Sequence, residues 1–336
     1  MGIKLRIITL VIAAGYFAAH AEPLDFVATF STSDYASEIV AMHGAEAHVW
    51  DYGHSLNVGV KVGDSVLIQP VSGPGKARGE SDGANVDQSY PLMVFLEKSK
   101  VTVGALDIGN NTDLIACSQG FITNENGKRF DLVSFDGQSR NSLLSLADSA
   151  NVVLFKGSKG NRVGEVPFPT ADAVQHLHMI PYSYDPQKGW LLLGLENRHT
   201  AGPGMIRSMI LVNLKHRLAY VIDSGVQTMF NVIARGRIQQ DKILYTRYFP
   251  ECACHAVILL DPFTDNADTL VREEHEIIGP MIQAGSLVYG DARGFNDRVI
   301  SMDLQSKEKT VLFPNGWLKQ TFGSELSIRS LQPAVH

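Results

Sequence analysis

The stretch "GWLLLGLENRHTAGPGMIRSMILVNLKHRLAYVID" (Gly189 to Asp223) decides the fold. It holds a short apolar run, a loop, a second apolar run ending in the polar Asn213, a tight turn and a third run. Each run has five to eight apolar and β-branched residues bounded by Gly, Asn, Asp or Pro, which predicts short strands. The pattern recurs. "DKILYTRYF" leads through "PECACH" to "AVILLDPFTDNADTLV", and "GSLVYGDARGFNDRVISMDLQSKEKTVLF" follows the same plan. Aligned on the polar residue that ends the second run, Asn213, Asp261 and Asp303 lie 48 and 42 residues apart. A further strand precedes each unit: "LHMIPYSYD", "FNVIARGRI" and "GPMIQAG". Four strands repeating at this period predict the blades of a β-propeller, because a single blade leaves both faces unburied until others pack against it.

Upstream, "TDLIACSQGF", "RFDLVSFDGQS" and "NSLLSL" form a weaker copy with Asp136 at the turn. An irregular blade is expected around "NVVLFKGSKGNRVGEVPF", and residues 22–90 are expected to give one more, with "ELSIRSL" completing a first or last blade. The expected class is all-β, a β-propeller of about six blades, with five or seven the neighbouring counts. The best helix candidate is "SDYASEIVAMHG" (Ser33 to Gly44), and "SGPGKARGESDGAN" (Ser72 to Asn85) reads as a surface loop.

The start of the chain indicates the compartment. Lys4 and Arg6 precede an apolar run from Ile7 to Ala18, and Ala19-His20-Ala21 follow. This is the layout of a secretory signal peptide over residues 1–21, cleaved after Ala21. The run is shorter than the roughly 20 residues that span a bilayer. The expectation is therefore a secreted or periplasmic protein without stable membrane insertion, its domain covering residues 22–336. The net charge is −6, and the leader carries two of the 29 basic side chains, so the remainder is more acidic still. An acidic chain without a Lys/Arg stripe argues against nucleic-acid binding.

The unit "PYSYDPQKGWLLLGLENR…MILVNLKHRLAYVID" resembles the repeat of TolB-type propellers over about residues 175–313. Arg198 and Arg293 match the arginine that often ends the second strand in that repeat, and Asp261 and Asp303 match its aspartate. The turn "SYDPQKG" is longer than the usual form, and an amino-terminal α/β domain is absent from the pattern. The resemblance implies an architecture rather than a role. It also implies that loops between second and third strands share one face with the loops joining blades, where ligands bind.

That implied face would receive Arg198 and His199, His275, the Arg293 loop and the "CACH" stretch, Cys252 to His255. His176 and His178 stand two apart at the start of an innermost strand, so they point to one side. The candidate metal ligands are His176, His178, Cys252, Cys254 and His255, for zinc or copper. One residue between the cysteines is one short of the C-x-x-C-H that attaches haem, which argues against haem. Three readings of Cys252 and Cys254 stand open: a small disulfide ring, inert thiols, or metal ligands. "GESDG" (Gly79 to Gly83) lacks the strand and helix a nucleophile elbow needs. Asp136, Asp261 and Asp303 recur once per unit, which predicts a turn role rather than catalysis.

Two functions follow. One is a binding protein holding a protein or glycan partner on one face. The other is a polysaccharide lyase or hydrolase, with His176 or His178 as the base and Arg198 or Arg293 clamping a uronate carboxylate.

Overall fold

The structure is a computed structural model. It describes residues 23–31, 37–44, 46–51, 56–62, 65–70, 92–97, 100–105, 115–125, 129–145, 153–156, 166–167, 177–197, 206–216, 218–227, 236–264, 266–294, 297–313, 315–323 and 325–335.

In chain order, the first strands are β1 (Asp25–Ser31), β2 (Ser37–His43) and β3 (Glu46–Asp51), then β4 (Leu56–Val62), β5 (Ser65–Pro70), β6 (Leu92–Glu97) and β7 (Lys100–Ala105). Next come β8 (Ile115–Cys117), β9 (Gly120–Glu125), β10 (Arg129–Val133) and β11 (Arg140–Ser145). β12 (Val153–Lys156) and β13 (Val166–Pro167) precede β14 (Leu177–Asp185), β15 (Trp190–Asn197), β16 (Ile206–Asn213) and β17 (Leu218–Gln227). β18 (Arg237–Gln239), β19 (Lys242–Phe249), β20 (Cys254–Leu260) and β21 (Ala267–Glu273) lead to β22 (Glu276–Gln283), β23 (Ser286–Ala292), β24 (Arg298–Asp303) and β25 (Lys309–Phe313). The helix α1 (Asn315–Phe322) and β26 (Ser327–Pro333) close the chain.

Among the described residues these strands make five four-stranded sheets and one six-stranded sheet. The three repeats read from the sequence are the sheets β14–β17, β18–β21 and β22–β25, each an antiparallel meander. The chain divides into two compact units, residues 1–110 with 275–336, and residues 111–274.

In the second unit, side-chain alternation explains the long apolar runs. Leu191 and Leu193 of β15 enter one buried cluster with Ile122, Phe130 and Met179. Leu192, between them, enters another with Ile243, Tyr245 and Ile258. Neighbouring residues on a strand face opposite ways, so a sheet covered on both sides needs an uninterrupted run. Asn124 Nδ2 donates to the Met179 carbonyl at 2.8 Å, tying β9 to β14 by a buried polar bond.

In the first unit, β26 pairs antiparallel with β1, so the last strand of the chain completes the sheet of its first three. This meets the expectation for "ELSIRSL". The fully buried rings of Phe26 and Phe313 lie edge to face at 6.1 Å, and Trp317 of α1 stacks on Phe313 at 5.3 Å.

Three expectations need correction, and one element was not expected. Ser37–His43 is strand β2, where a helix over Ser33 to Gly44 was expected. Glu38 through Met42 are all buried. β2 lies between β1 and β3 and is covered on both faces, so its apolar run shows no strand alternation. Among the described residues, the segment around "NVVLFKGSKGNRVGEVPF" makes no blade of its own. β12 adds in parallel to the edge strand β17, with β13 beyond it, widening that sheet to six strands. An edge strand offers unpaired backbone groups, and this segment satisfies them. Residues 22–90, expected to give one blade, supply β1–β3 to one sheet and β4 and β5 to another. The helix α1 was not read from the sequence at all.

The recurring acidic residues are turn formers, as their spacing implied. Asp261 accepts the N–H groups of Phe263 and Thr264 at 2.9 and 3.2 Å, and Asp303 those of Gln305 and Ser306 at 2.9 and 2.6 Å. Asp136 accepts from Gln138 N–H at 3.0 Å, and Asn213 from His216 N–H at 3.1 Å. Each side chain stands in for a backbone carbonyl at the turn after the third strand.

Candidate functional site

The site in the second unit is built at the β19–β20 connection. The antiparallel register sets Phe249 opposite Cys254, and Arg247 opposite Ala256, with Arg272 of β21 opposite Ala256 in turn. Residues two apart on a strand share a side, so Arg247, Phe249, Cys254, Ala256 and Arg272 lie on one face. Ala256 is small and fully buried. The long side chains on either flank therefore converge. The Arg272 guanidinium stacks 4.7 Å above the Phe249 ring and that of Arg247 lies 5.2 Å from it. Both distances suit cation–π attraction. The opposite face carries Tyr248 and His255, rings 5.0 Å apart.

The turn itself, Pro250 to Ala253, is exposed. Cys252 N–H donates to the Phe249 carbonyl and Ala253 N–H to the Pro250 carbonyl, both at 3.3 Å. Ala253 adopts φ +48°, a left-handed conformation that costs a non-glycine residue about 1–2 kcal/mol. This turn brings the sulfurs of Cys252 and Cys254 together in a disulfide across a sequence separation of 2. Arg272 Nη1 donates weakly to both sulfurs, at 3.9 Å to Cys252 and 3.8 Å to Cys254. Cys254 is 7% exposed, whereas Cys252 is open to solvent. The third cysteine, Cys117, is a buried free thiol, and burial pushes its pKa up.

A second polar group stands in the first unit, around the loop after β23. Asp291 is fully buried, and its Oδ2 accepts Nε–H from Arg293 at 2.7 Å and from Arg298 at 2.9 Å. Asp297, 2% exposed, accepts the backbone N–H of Arg293 at 2.5 Å and of Ile328 at 2.7 Å. Burial pushes the Asp297 carboxyl up to about 6, against the lowering effect of those donors. Burial, with repulsion from Asp297, pushes Glu276 up to about 7.

The sequence candidates fall as follows. Arg293 is held by Asp291 through its side chain and by Asp297 through its backbone, so it fixes a loop. Cys252 and Cys254 are bonded to each other, so neither offers the thiolate that zinc or copper would need, and the His255 ring lies against Tyr248. His178, on β14, pairs through its backbone with Glu196 of β15. His176, Arg198, His199, the Ser72–Asn85 loop with "GESDG", and residues 1–21 lie outside the described residues. Among the described residues no three His, Cys, Asp or Glu side chains gather as a metal set. No helix among them is long and apolar enough to cross a membrane. Sequence reading missed Arg247, Phe249 and Arg272. Their signal was the spacing of Arg247 and Phe249 beside "CACH", but the partner strand was needed to place Arg272.

No family model and no curated protein matches the sequence. Solved structures do resemble the fold. A chain of the nidogen/laminin complex matches with TM-score 0.53 at 11% identity, covering 93% of this chain and 100% of that one. A putative TolB from Agrobacterium tumefaciens matches with TM-score 0.52 at 9% identity, covering 92% and 98%. TolB from Acinetobacter baumannii matches with TM-score 0.54 at 9% identity, covering 94% and 68%. The fold is an all-β β-propeller of the kind seen in TolB and in the nidogen complex, carrying five four-stranded blades among its described sheets.

Proposed function

We propose that this chain is a binding propeller of an extracytoplasmic compartment that holds a protein partner at the β19–β20 end of its second unit. The observation that carries the reading is the group formed by Arg247, Phe249 and Arg272 beside an exposed turn. Arginine and aromatic side chains dominate the energetics of protein contacts. Two guanidiniums already seated on a ring lose less freedom on association than loose ones do. They favour a partner segment bearing carboxylates, which pair with arginine through two parallel hydrogen bonds. The propeller of the nidogen/laminin complex supports the reading as a fold of this kind found with a protein partner.

The test is a comparison of baits. The wild-type chain and an R247E/R272E variant of unchanged circular dichroism are used to capture extracytoplasmic proteins. A stoichiometric partner held by the wild type and reduced at least tenfold by the variant is expected. Turnover of a uronate polysaccharide with no protein partner would overturn the proposal in favour of a lyase or hydrolase.

A further inference from the structure

We infer that Cys252–Cys254 is a thiol–disulfide exchange site that accepts two electrons from an exposed dithiol, independently of the partner the propeller holds. A structural staple is a poor account of this bond. Cross-links stabilise a fold chiefly by restricting the unfolded chain, and the effect shrinks with the loop enclosed. Here the enclosed loop is a single residue, Ala253. The bond lies in an exposed turn and joins no two strands that the register does not already join through Phe249 and Cys254.

The surroundings instead suit exchange. The two sulfurs are unequal, with Cys252 in the open turn and Cys254 7% exposed. An incoming thiolate therefore attacks Cys252 Sγ. The Cys252–Cys254 bond breaks, and its electron pair leaves on Cys254 Sγ as a thiolate. Arg272, 3.8 Å away, faces that sulfur with a fixed positive charge. A guanidinium in this place lowers the thiol pKa and improves the leaving group. The second thiol of the dithiol then attacks its own sulfur in the mixed disulfide and releases Cys252 as a thiolate. The dithiol is oxidised to a disulfide, and the chain gains two thiols after taking up two protons. Phe249 holds Arg272 in position from the ring side. Cys117 takes no part: it is buried in the apolar cluster around Phe130 and Met179, and its raised pKa keeps it protonated.

The experiment uses the full chain with dithiothreitol as the dithiol and mass mapping of alkylated thiols. At pH 7 and without denaturant, Cys252 becomes alkylated after reduction while Cys117 does not, and circular dichroism is unchanged. With glutathione disulfide, Cys254→Ser forms a mixed disulfide at Cys252 at least tenfold faster than Cys252→Ser forms one at Cys254. Arg272→Gln slows reduction of the wild-type pair about tenfold and moves the alkylation pH profile upward, and Arg272→Lys restores part of both. Reduction only at denaturant concentrations that unfold the chain would overturn the inference. So would equal exchange at the two cysteines together with an unmoved pH profile in Arg272→Gln.

Discussion

The Asp297 carboxylate accepts the backbone N–H of Ile328 at 2.7 Å, joining the loop after β23 to the C-terminal strand. The bond is buried, and a second oxygen of the same carboxyl holds Arg293 N–H. Fixing a carboxyl here carries a pH cost, because burial disfavours its charged form and Asp291 adds negative charge nearby.

Both raised carboxyls bind protons more tightly in the folded chain than in the unfolded one. Their contribution is fully present below the unfolded values of 3.8 and 4.5, and is lost as pH rises through about 6 for Asp297 and about 7 for Glu276. At about 1.4 kcal/mol per pKa unit, the pair is worth on the order of 5 kcal/mol between pH 4 and pH 8. Glu276→Gln should raise Tm at pH 8 by about 2–4 °C and leave it nearly unchanged at pH 4.5. Thermal melts at the two pH values check this.

The acid limb has the opposite sign. Hydrogen bonds from Ser134 and Gln138 hold Asp136 below its ordinary value, and donors at Phe263 and Ser306 do the same for Asp261 and Asp303. Their contribution is present above pH 3.8 and disappears as pH falls through the lowered folded values. The triple replacement of Asp136, Asp261 and Asp303 by Asn should flatten the melting profile below pH 4 without altering its shape above pH 5.

Gly279 has φ +54°, and a Cβ there would lie 2.2 Å from the Leu331 carbonyl oxygen. The two backbones approach where β22 is interrupted by a register shift between Ile278 and Met281. Neither partner atom is a flexible side-chain end. Gly279→Ala should cost at least about 2 kcal/mol, read from urea unfolding of the full chain.

Phe263 is 55% exposed, yet its ring lies 5.3 Å from Trp190 and 6.1 Å from Tyr220. Phe263→Ala should therefore cost about 0.5–1.5 kcal/mol, more than an exposed position usually does. It should also shift the tryptophan emission to the red as Trp190 meets water.

The repeat was legible because each of its strands keeps an apolar run between turn formers, and Asn213, Asp261 and Asp303 mark the period by a local hydrogen-bonding need. β2 was misread because burial on both faces removes the alternation that distinguishes a strand. The β12–β13 extension was misread because pairing to an edge is a long-range event with no local signal. The site was half legible. Cys252 and Cys254 stood out by composition, and the disulfide was one of the readings their spacing left open. Arg272 reaches them through the β20–β21 register, which no spacing along the chain reveals.

The most direct measurement is a site-specific photo-crosslink. A benzophenone side chain is placed at Glu251, in the exposed β19–β20 turn, and at Val311 of β25 as a control. The account predicts one discrete protein adduct from position 251, lost when Arg272 is changed to Glu and absent from position 311. No adduct at 251, or the same adducts from both positions, would contradict it.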